Sequence, residues 1–212
     1  MVAHAQTAGR GRRGRAWIGE PGKTLTFSVL WTFPVTPVVL NGLSLAMGVA
    51  LARALHLPHL GTRKAGARFG LKWPNDVLVG DRKLAGVLLE LSGDPADVCH
   101  VVIGIGLNVN MLSAASAAIG QPWTSMRAEL GRVINRNELV VGLNRHLSRY
   151  LDIQLRHGFS ALQSEWQDCH LWHGREVMLT AGSEPVIGVV LGVDHSGAVR
   201  LLVDGQEHSF SG

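Results

Sequence analysis

Residues 9–15, Gly-Arg-Gly-Arg-Arg-Gly-Arg, combine two residue types that suit the binding of phosphate or carboxylate. Glycine lets the backbone approach a ligand closely, and the planar arginine fork matches carboxylate and phosphate oxygens. The first six residues also spell G-x-G-x-x-G, the pattern of a dinucleotide-binding turn. That turn needs a helix directly after it and an acidic residue about 20 positions further on. Residues 19–22 instead contain two glycines and a proline, and residues 30–36 contain no acid, so we reject that fold.

Two further segments carry residues that a hydrophobic core does not require. Lys72 ends a predicted strand and is followed closely by the amide of Asn75. Gly104 and Gly106 leave room for a flat ligand against a strand, and Asn108 follows them. No Ser-His-Asp or Cys-His grouping accompanies these residues, so a covalent enzyme intermediate is not indicated. The three segments together favour catalysis by positioning and charge stabilisation, as when a carboxylate attacks a nucleotide phosphate.

Composition indicates a packed globular protein with a local basic region. The chain has 212 residues, of which 46% are hydrophobic and 17% charged. Its net charge of +4 falls to zero (+4 minus 4) without the arginines of residues 10–15, which argues against a broad polyanion-binding surface. The two cysteines, Cys99 and Cys169, cannot form a disulfide framework, and there is no signal peptide or membrane-length apolar segment. We expect a reduced, cytoplasmic protein with no membrane segment and no metal site.

Hydrophobic periodicity predicts an α+β fold in which helices pack on a mixed or antiparallel sheet. A helix is predicted over residues 40–55. Strands are predicted over residues 24–31, 68–73, 77–79, 83–91 and 99–110. The last of these is so apolar that we expect it in the centre of the sheet.

The second half of the chain changes texture after Trp166. Asn135 and Glu138 predict the start of a long helix. One face of that helix carries a leucine at every fourth position: Leu139, Leu143, Leu147, Leu151 and Leu155. Beyond Trp166, short strands alternate with glycine- and serine-rich turns, which is typical of a small β barrel or sandwich. We predict two domains, residues 1–168 and 169–212.

Three strings of residues, in this order, resemble one known family. They are QTAGRGRRGRAW, LKWPNDVLVGDRKLAGVLLEL and VVIGIGLNVN, and they resemble the biotin protein ligases, or biotin–[acetyl-CoA-carboxylase] ligases. The resemblance implies a class II synthetase-like biotin/lipoate ligase fold with a small C-terminal SH3-like β barrel. It also implies a two-step reaction, in which biotin and MgATP form biotinyl-5'-AMP and pyrophosphate. A lysine of the biotin carboxyl carrier protein of acetyl-CoA carboxylase then receives the biotin.

The resemblance also implies roles for individual residues. Lys72 matches the lysine that meets the biotin carboxylate and the α-phosphate, and with Arg12 it forms the predicted catalytic set. The predicted biotin-binding residues are Gln6, Gly9, Arg10, Gly11, Arg12, Lys72, Gly104 and Gly106. The predicted nucleotide-binding residues are Arg12, Arg13, Trp17, Asn75, Asn108 and Trp123. Biotin and ATP are the implied substrates, Mg²⁺ accompanies ATP, and no metal site on the protein is implied.

The N-terminus departs from the family pattern. Relatives begin a few dozen residues earlier, with a Ser-Thr-Asn-type turn that hydrogen-bonds the ureido ring of biotin, whereas this chain opens at Met1. We therefore expect an N-terminally clipped catalytic domain that binds biotin roughly 30- to 100-fold more weakly. Stable folding and activity of the clipped chain stay open, as does a homodimer, and we expect no DNA-binding domain within the chain. Two alternatives remain: a lipoate or other acyl-protein ligase on the same fold, and a non-enzyme that is a basic-loop nucleic-acid binder or an inactive remnant.

Overall fold

The computed structural model of the chain describes residues 1–33, 40–56, 69–93, 99–112, 119–180 and 184–212. Within these ranges the chain forms two antiparallel sheets and four α-helices. The first sheet contains β1 (Val2–Ala3), β2 (Thr24–Phe33), β3 (Phe69–Lys72), β4 (Asp76–Val79), β5 (Arg82–Gly93) and β6 (Cys99–Asn108). The second contains β7 (Glu176–Leu179), β8 (Val186–Val193), β9 (Val199–Val203) and β10 (Gln206–Phe210). The helices are α1 (Leu43–Leu55), α2 (Met126–Leu130), α3 (Arg136–His157) and α4 (Gln163–Cys169).

The first sheet has the strand order β1-β2-β6-β5-β4-β3, and every neighbouring pair in it is antiparallel. The predicted strands are confirmed, with Arg68 of the segment 68–73 lying outside the described residues. The apolar strand β6 lies between β2 and β5, which confirms its predicted interior position. The sheet is thus antiparallel rather than mixed.

The two faces of this sheet differ in what covers them. Successive side chains of a strand point to opposite faces. In β6, Ile105 and Leu107 are buried in the core, while Gly104 and Gly106 alternate with them on the other face. Helix α1 packs against α3 and against strands of the sheet, so the core lies on the helical side. The opposite, open face carries Gly104 and Gly106 and lines a cavity.

Helix α3 begins and packs as its sequence pattern predicts. The Asn135 side chain caps it, accepting a hydrogen bond from the Asn137 N–H at 3.0 Å and donating one to Glu138 at 3.2 Å. The predicted leucine stripe is buried at Leu139, Leu143, Leu147 and Leu151. Leu155, near the end of the helix, is only partly buried against the core. The stripe is therefore core packing, which holds α1 between α3 and the sheet.

The second sheet follows α4 and has the order β10-β9-β8-β7. Its small core consists of Val190, Val199 and Leu201. These four antiparallel strands correspond to the predicted SH3-like region, and the predicted α+β class is confirmed. The domain boundary at residues 168 and 169 stays a prediction. No helix within the described ranges is long and apolar enough to span a bilayer.

Candidate active site

The glycine–arginine loop, residues 9–15, folds back on itself as a tight hairpin. The Gly11 N–H donates to the Arg15 carbonyl at 2.7 Å, and the Trp17 N–H donates to the Gly9 carbonyl at 2.9 Å. Arg13 takes the left-handed conformation, with φ of 55°. No helix follows the loop, and the next element is β2, which agrees with the rejection of the dinucleotide fold.

A cavity of about 600 Å³ lies between this loop, the open face of the first sheet and the second sheet. Ten of the predicted site residues line it: Gln6, Arg10, Gly11, Arg12, Arg13, Trp17, Lys72, Asn75, Gly104 and Gly106. Three predicted residues do not line it: Gly9, Asn108 and Trp123. The structure thus brings together three segments that are far apart in the sequence. Because no measurement assigns ligands to them, their individual roles stay predictions.

Gly106 lies beneath the Trp17 indole at one wall of this cavity, and the space beside that indole, lined by Gly86 and Gly104, forms a narrow slot. Gly106 pairs with Thr26 of β2 and with Gly86 of β5, so two glycines lie side by side on the open face. A Cβ on Gly106 would lie 2.6 Å from Cζ2 and 2.9 Å from Cδ2 of Trp17, so the indole packs directly on the glycine. A Cβ on Gly104 would lie 3.5 Å from the Leu88 carbonyl oxygen, an ordinary contact. The close approach therefore requires glycine at position 106 and not at 104.

The three predicted residues that do not line the cavity contact other residues of the protein around it. A side chain on Gly9 would collide with the Trp17 backbone oxygen, so Gly9 lets the hairpin close. Asn108 is buried, and its amide donates to the Thr124 carbonyl at 3.1 Å. Trp123 forms a bridge with Lys83. The sequence patterns predicted these residues at the site. The contacts that the structure shows for them are with other protein residues.

Lys72, the predicted catalytic lysine, is half-buried at the end of β3. Its ammonium nitrogen lies 4.1 Å from the ring centroid of Trp172, a cation–π contact. Burial lowers the Lys72 pKa from its ordinary value, and the nearby Lys83 and Arg15 charges lower it further. The Asp76 carboxylate opposes these effects. Lys72 is thus a partly desolvated cation at the wall of the cavity.

Lys83 is a cavity residue that the sequence analysis missed. Its ammonium forms an ion pair of 2.7 Å with Asp76, and both side chains are less than one-fifth exposed. A Cβ on Gly86 would lie 3.4 Å from that ammonium, so Lys83 crosses the slot beside the two glycines. The nitrogen is also 5.8 Å from the ring centroid of Trp17. The position of Lys83 at the slot follows from the pairing of Gly86 with Gly106 in neighbouring strands. No local sequence pattern reveals that pairing.

The arginines of the loop have different partners. Arg10 forms an exposed ion pair of 3.3 Å with Glu90 of β5. Arg13 donates to the Thr180 carbonyl of the second sheet region at 2.7 Å. Arg12 is half-buried in the cavity wall, where burial and then the charge of Arg13 lower its pKa. The loop is therefore fixed at both ends, with Arg12 between the two anchors.

The second sheet contributes to the site, which the sequence analysis did not predict. Residues 178–180 line the cavity together with the loop. The Trp73 indole N–H donates to the Gly197 carbonyl at 3.0 Å, and the Leu171 N–H donates to the Leu71 carbonyl at 3.0 Å. These bonds join the segment after α4 and the β8–β9 turn to β3, which ends at Lys72, and to Trp73 directly after it. The cavity is consequently built from both parts of the chain.

The site's chemistry follows from these groups. It offers a slot floored by glycine and walled by indole, which suits a flat apolar ring, next to several fixed cations. The cations suit a carboxylate and a phosphate held close together, because their mutual repulsion would be offset there. Among the described residues, no cluster of three or more His, Cys, Asp or Glu side chains could hold a metal ion.

The site lies on an antiparallel sheet that helices cover on its other face. Residues 1–108 match the model of the biotin/lipoate A/B protein ligase family. The chain belongs to this family.

Individual relatives share this likeness along nearly the whole chain. The bifunctional ligase/repressor BirA of Escherichia coli is 37% identical over 205 residues, covering 96% of this chain and 61% of the relative. The biotin–[acetyl-CoA-carboxylase] ligase of Paracoccus denitrificans is 32% identical, covering 95% of this chain and 82% of the relative. The solved structure of biotin protein ligase from Aquifex aeolicus, in complex with biotin and ATP, superposes with a TM-score of 0.82 at 29% identity, covering 99% of this chain and 84% of that one. The chain spans about three fifths of the length of BirA proteins that it matches.

Proposed function

We propose that this chain activates biotin with ATP and transfers it to a protein lysine. In the first step, a biotin carboxylate oxygen attacks the α-phosphorus of ATP, which forms biotinyl-5'-AMP and releases pyrophosphate. In the second step, a lysine amine attacks the acyl carbon, an amide forms, and AMP leaves with the proton released from the amine. The observation that carries the proposal is the glycine-lined slot beside the Trp17 indole and the ammonium of Lys83. The names of the similar ligases support it.

The proposed substrate positions follow from the shape and charge of the cavity. The biotin ring system lies in the slot, and its carboxylate points toward Lys83 and Lys72. ATP enters as its magnesium complex. Arg12 and Arg13 then face the phosphates. Asn75 lies at the cavity edge, where its amide donates to the Val87 carbonyl at 2.8 Å and fixes the turn before β4.

The proposed protein substrate is the biotin carboxyl carrier protein of acetyl-CoA carboxylase. The names of two similar ligases, which contain acetyl-CoA carboxylase, support this choice. We also propose a cytoplasmic location, where this carrier and ATP meet. We propose neither a homodimer nor a DNA-binding function for this chain.

Transfer to the carrier tests the proposed function. The chain is incubated with an isolated carrier domain, MgATP and either biotin or lipoate, and the carrier mass is followed by mass spectrometry. We expect a biotin adduct on one carrier lysine, and none when that lysine is replaced by arginine. A lipoate adduct formed at an equal or faster rate would assign the chain to the other branch of its family. Salt-sensitive DNA binding without either adduct would identify a nucleic-acid binder.

Arg12 is expected to hold the adenylate after it forms. Arg12→Gly should leave adenylate synthesis intact but let biotinyl-5'-AMP escape, because one charge-assisted contact is lost. Escaped adenylate acylates exposed lysines, so serum albumin in the mixture should gain about tenfold more biotin than with the parent. The measurement is a biotin blot of the albumin.

Arg15→Gly is the matched comparison, because it adds a glycine to the same hairpin and removes an exposed arginine that also lines the cavity. We expect it to label albumin less than Arg12→Gly does, because the Arg12 side chain is the more buried of the two. Equal labelling by the parent and Arg12→Gly, with adenylate still formed, would show that Arg12 does not retain the intermediate.

A further inference from the structure

Glu129, on the short helix α2, carries a buried carboxylate within the described part of the chain. Its residue is only 3% exposed. It forms an ion pair of 2.9 Å with Arg82, and it also accepts a hydrogen bond from the Thr124 hydroxyl. Burying a carboxylate is costly unless it is paired, and here the partner, Arg82, is itself half-exposed. The pair lies next to Lys83, because Arg82 is its neighbour in the chain.

Both partners of Glu129 flank Lys83. Arg82 is its neighbour in the chain, and Thr124 lies across the bridge between Lys83 and Trp123. The Lys83 N–H donates to the Pro122 carbonyl at 2.9 Å, and the Thr124 N–H donates to the Lys83 carbonyl at 2.9 Å. The backbone of Lys83 is thus bonded in both directions to residues 122–124.

The segment that holds Lys83 is itself fixed to the end of β6. The Asn108 amide donates to the Thr124 carbonyl at 3.1 Å. The Ser125 hydroxyl donates to the Met111 carbonyl at 2.6 Å and also caps helix α2, accepting from the Ala128 N–H at 3.2 Å. Glu129 closes this arrangement, because it contacts both the Thr124 and the Arg82 side chains, which also share a direct hydrogen bond of 3.4 Å.

We propose that Glu129 is a positioning residue for Lys83. By holding Arg82 and Thr124 on either side, it fixes where β5 starts, and so fixes the Lys83 ammonium beside Asp76 and Gly86. Glu129 does not line the cavity and touches no substrate in this proposal. The effect on catalysis rests on the proposed function, whereas the placement of Lys83 can be measured without it.

A double variant separates positioning from stability. Arg82→Met with Glu129→Leu removes both charges and replaces them with apolar side chains of similar size, a change that often preserves or raises stability. The control is Arg200→Met with Glu207→Leu, which removes an exposed pair of the same residue types in the second sheet. If circular dichroism shows the double variant unfolded, Thr124→Val takes its place, because it removes the hydroxyl that bonds Glu129 and leaves the Arg82 ion pair intact.

The first readout is the acylation rate of each lysine by an amine-reactive acetyl ester, measured by peptide mass spectrometry in the folded proteins. Lys83 is shielded by its ion pair, so we expect its labelling to rise about tenfold when its segment loosens. Lys23, half-exposed in its own ion pair, serves as the internal reference and should not change. Lys83 labelling that stays at the parent level in the folded variant overturns the proposal, whether or not the parent makes adenylate.

The second readout is the kinetics of adenylate formation. A displaced Lys83 should lower kcat about tenfold or more, with KM for ATP and biotin within about twofold of the parent. A stable double variant with the kcat of the parent would reduce Glu129 to a structural residue and also overturn the proposal. If the parent forms no adenylate, the proposed function fails, and the labelling result alone decides the role of Glu129.

Discussion

Lys83→Ala is expected to lower the rate of biotinyl-5'-AMP formation by roughly 10²- to 10³-fold, the usual effect of removing one preorganised electrostatic group. The Lys83 ammonium lies at the glycine slot, where an entering carboxylate and the α-phosphate would meet. Its charge would offset their repulsion, and more strongly than in bulk water because the Lys83 side chain is less than one-fifth exposed. The assay is biotin-dependent release of pyrophosphate under single-turnover conditions. Circular dichroism and the thermal midpoint confirm that the variant is folded.

Lys72→Ala is the matched comparison. Lys72 is the lysine that the family resemblance selects, but its ammonium packs on Trp172 at the cavity wall. We expect a smaller loss of rate, about tenfold, because the Lys72 ammonium packs on Trp172 whereas the Lys83 ammonium lies beside Gly86. A large loss for Lys72→Ala with an unchanged rate for Lys83→Ala would return the catalytic role to Lys72. Unchanged rates for both variants would place the reacting groups elsewhere.

Gly106→Ala is expected to weaken biotin binding by roughly 10- to 100-fold, since an overpacked site typically costs about 1–3 kcal/mol. The added methyl group would lie under 3 Å from the Trp17 ring, so the indole must leave the slot that it walls. Isothermal calorimetry with biotin measures the change directly. The expected signature is a higher KM for biotin with little change in the KM for ATP.

Gly104→Ala tests whether the loss of biotin affinity requires close packing against Trp17 or follows from any side chain added to this face of β6. A methyl group at position 104 meets only an ordinary contact, so the loss of biotin affinity should be smaller than for Gly106→Ala. Gly120→Ala, with no atom within 4 Å of the added methyl, controls for the general effect of replacing a glycine. Equal affinities for all three variants would mean that the slot is not where biotin binds.

The sequence was sufficient for those parts of the fold that depend on local patterns. The strands over residues 24–31 and 83–91 alternate or run apolar, and the structure places both in the first sheet. The leucine stripe predicted the buried face of α3 as far as Leu151. Leu155 lies near the end of the helix and is only partly buried. Local periodicity carries this information, because it reports which face of an element is buried.

The arrangement of the site depended on long-range pairing that local patterns do not contain. Lys83 reaches the slot because β5 pairs with β6 in a register that sets Gly86 beside Gly106. Arg13 stays a predicted nucleotide-binding residue, and its guanidinium donates to the carbonyl of Thr180, a residue far along the chain that the loop sequence does not point to. The support of Lys83 by Glu129 likewise joins residues that only the folded chain brings together.

Detection of biotinyl-5'-AMP is the most direct test that this chain activates biotin with ATP. The purified chain is incubated with biotin and MgATP in the absence of any carrier, and the bound fraction is analysed by mass spectrometry while pyrophosphate is followed in parallel. We expect biotinyl-5'-AMP and pyrophosphate in equal amounts. Both should depend on biotin, and both should be lost in Lys83→Ala. Pyrophosphate release that is independent of biotin, or no adenylate from a folded chain supplied with saturating biotin and ATP, would contradict this expectation.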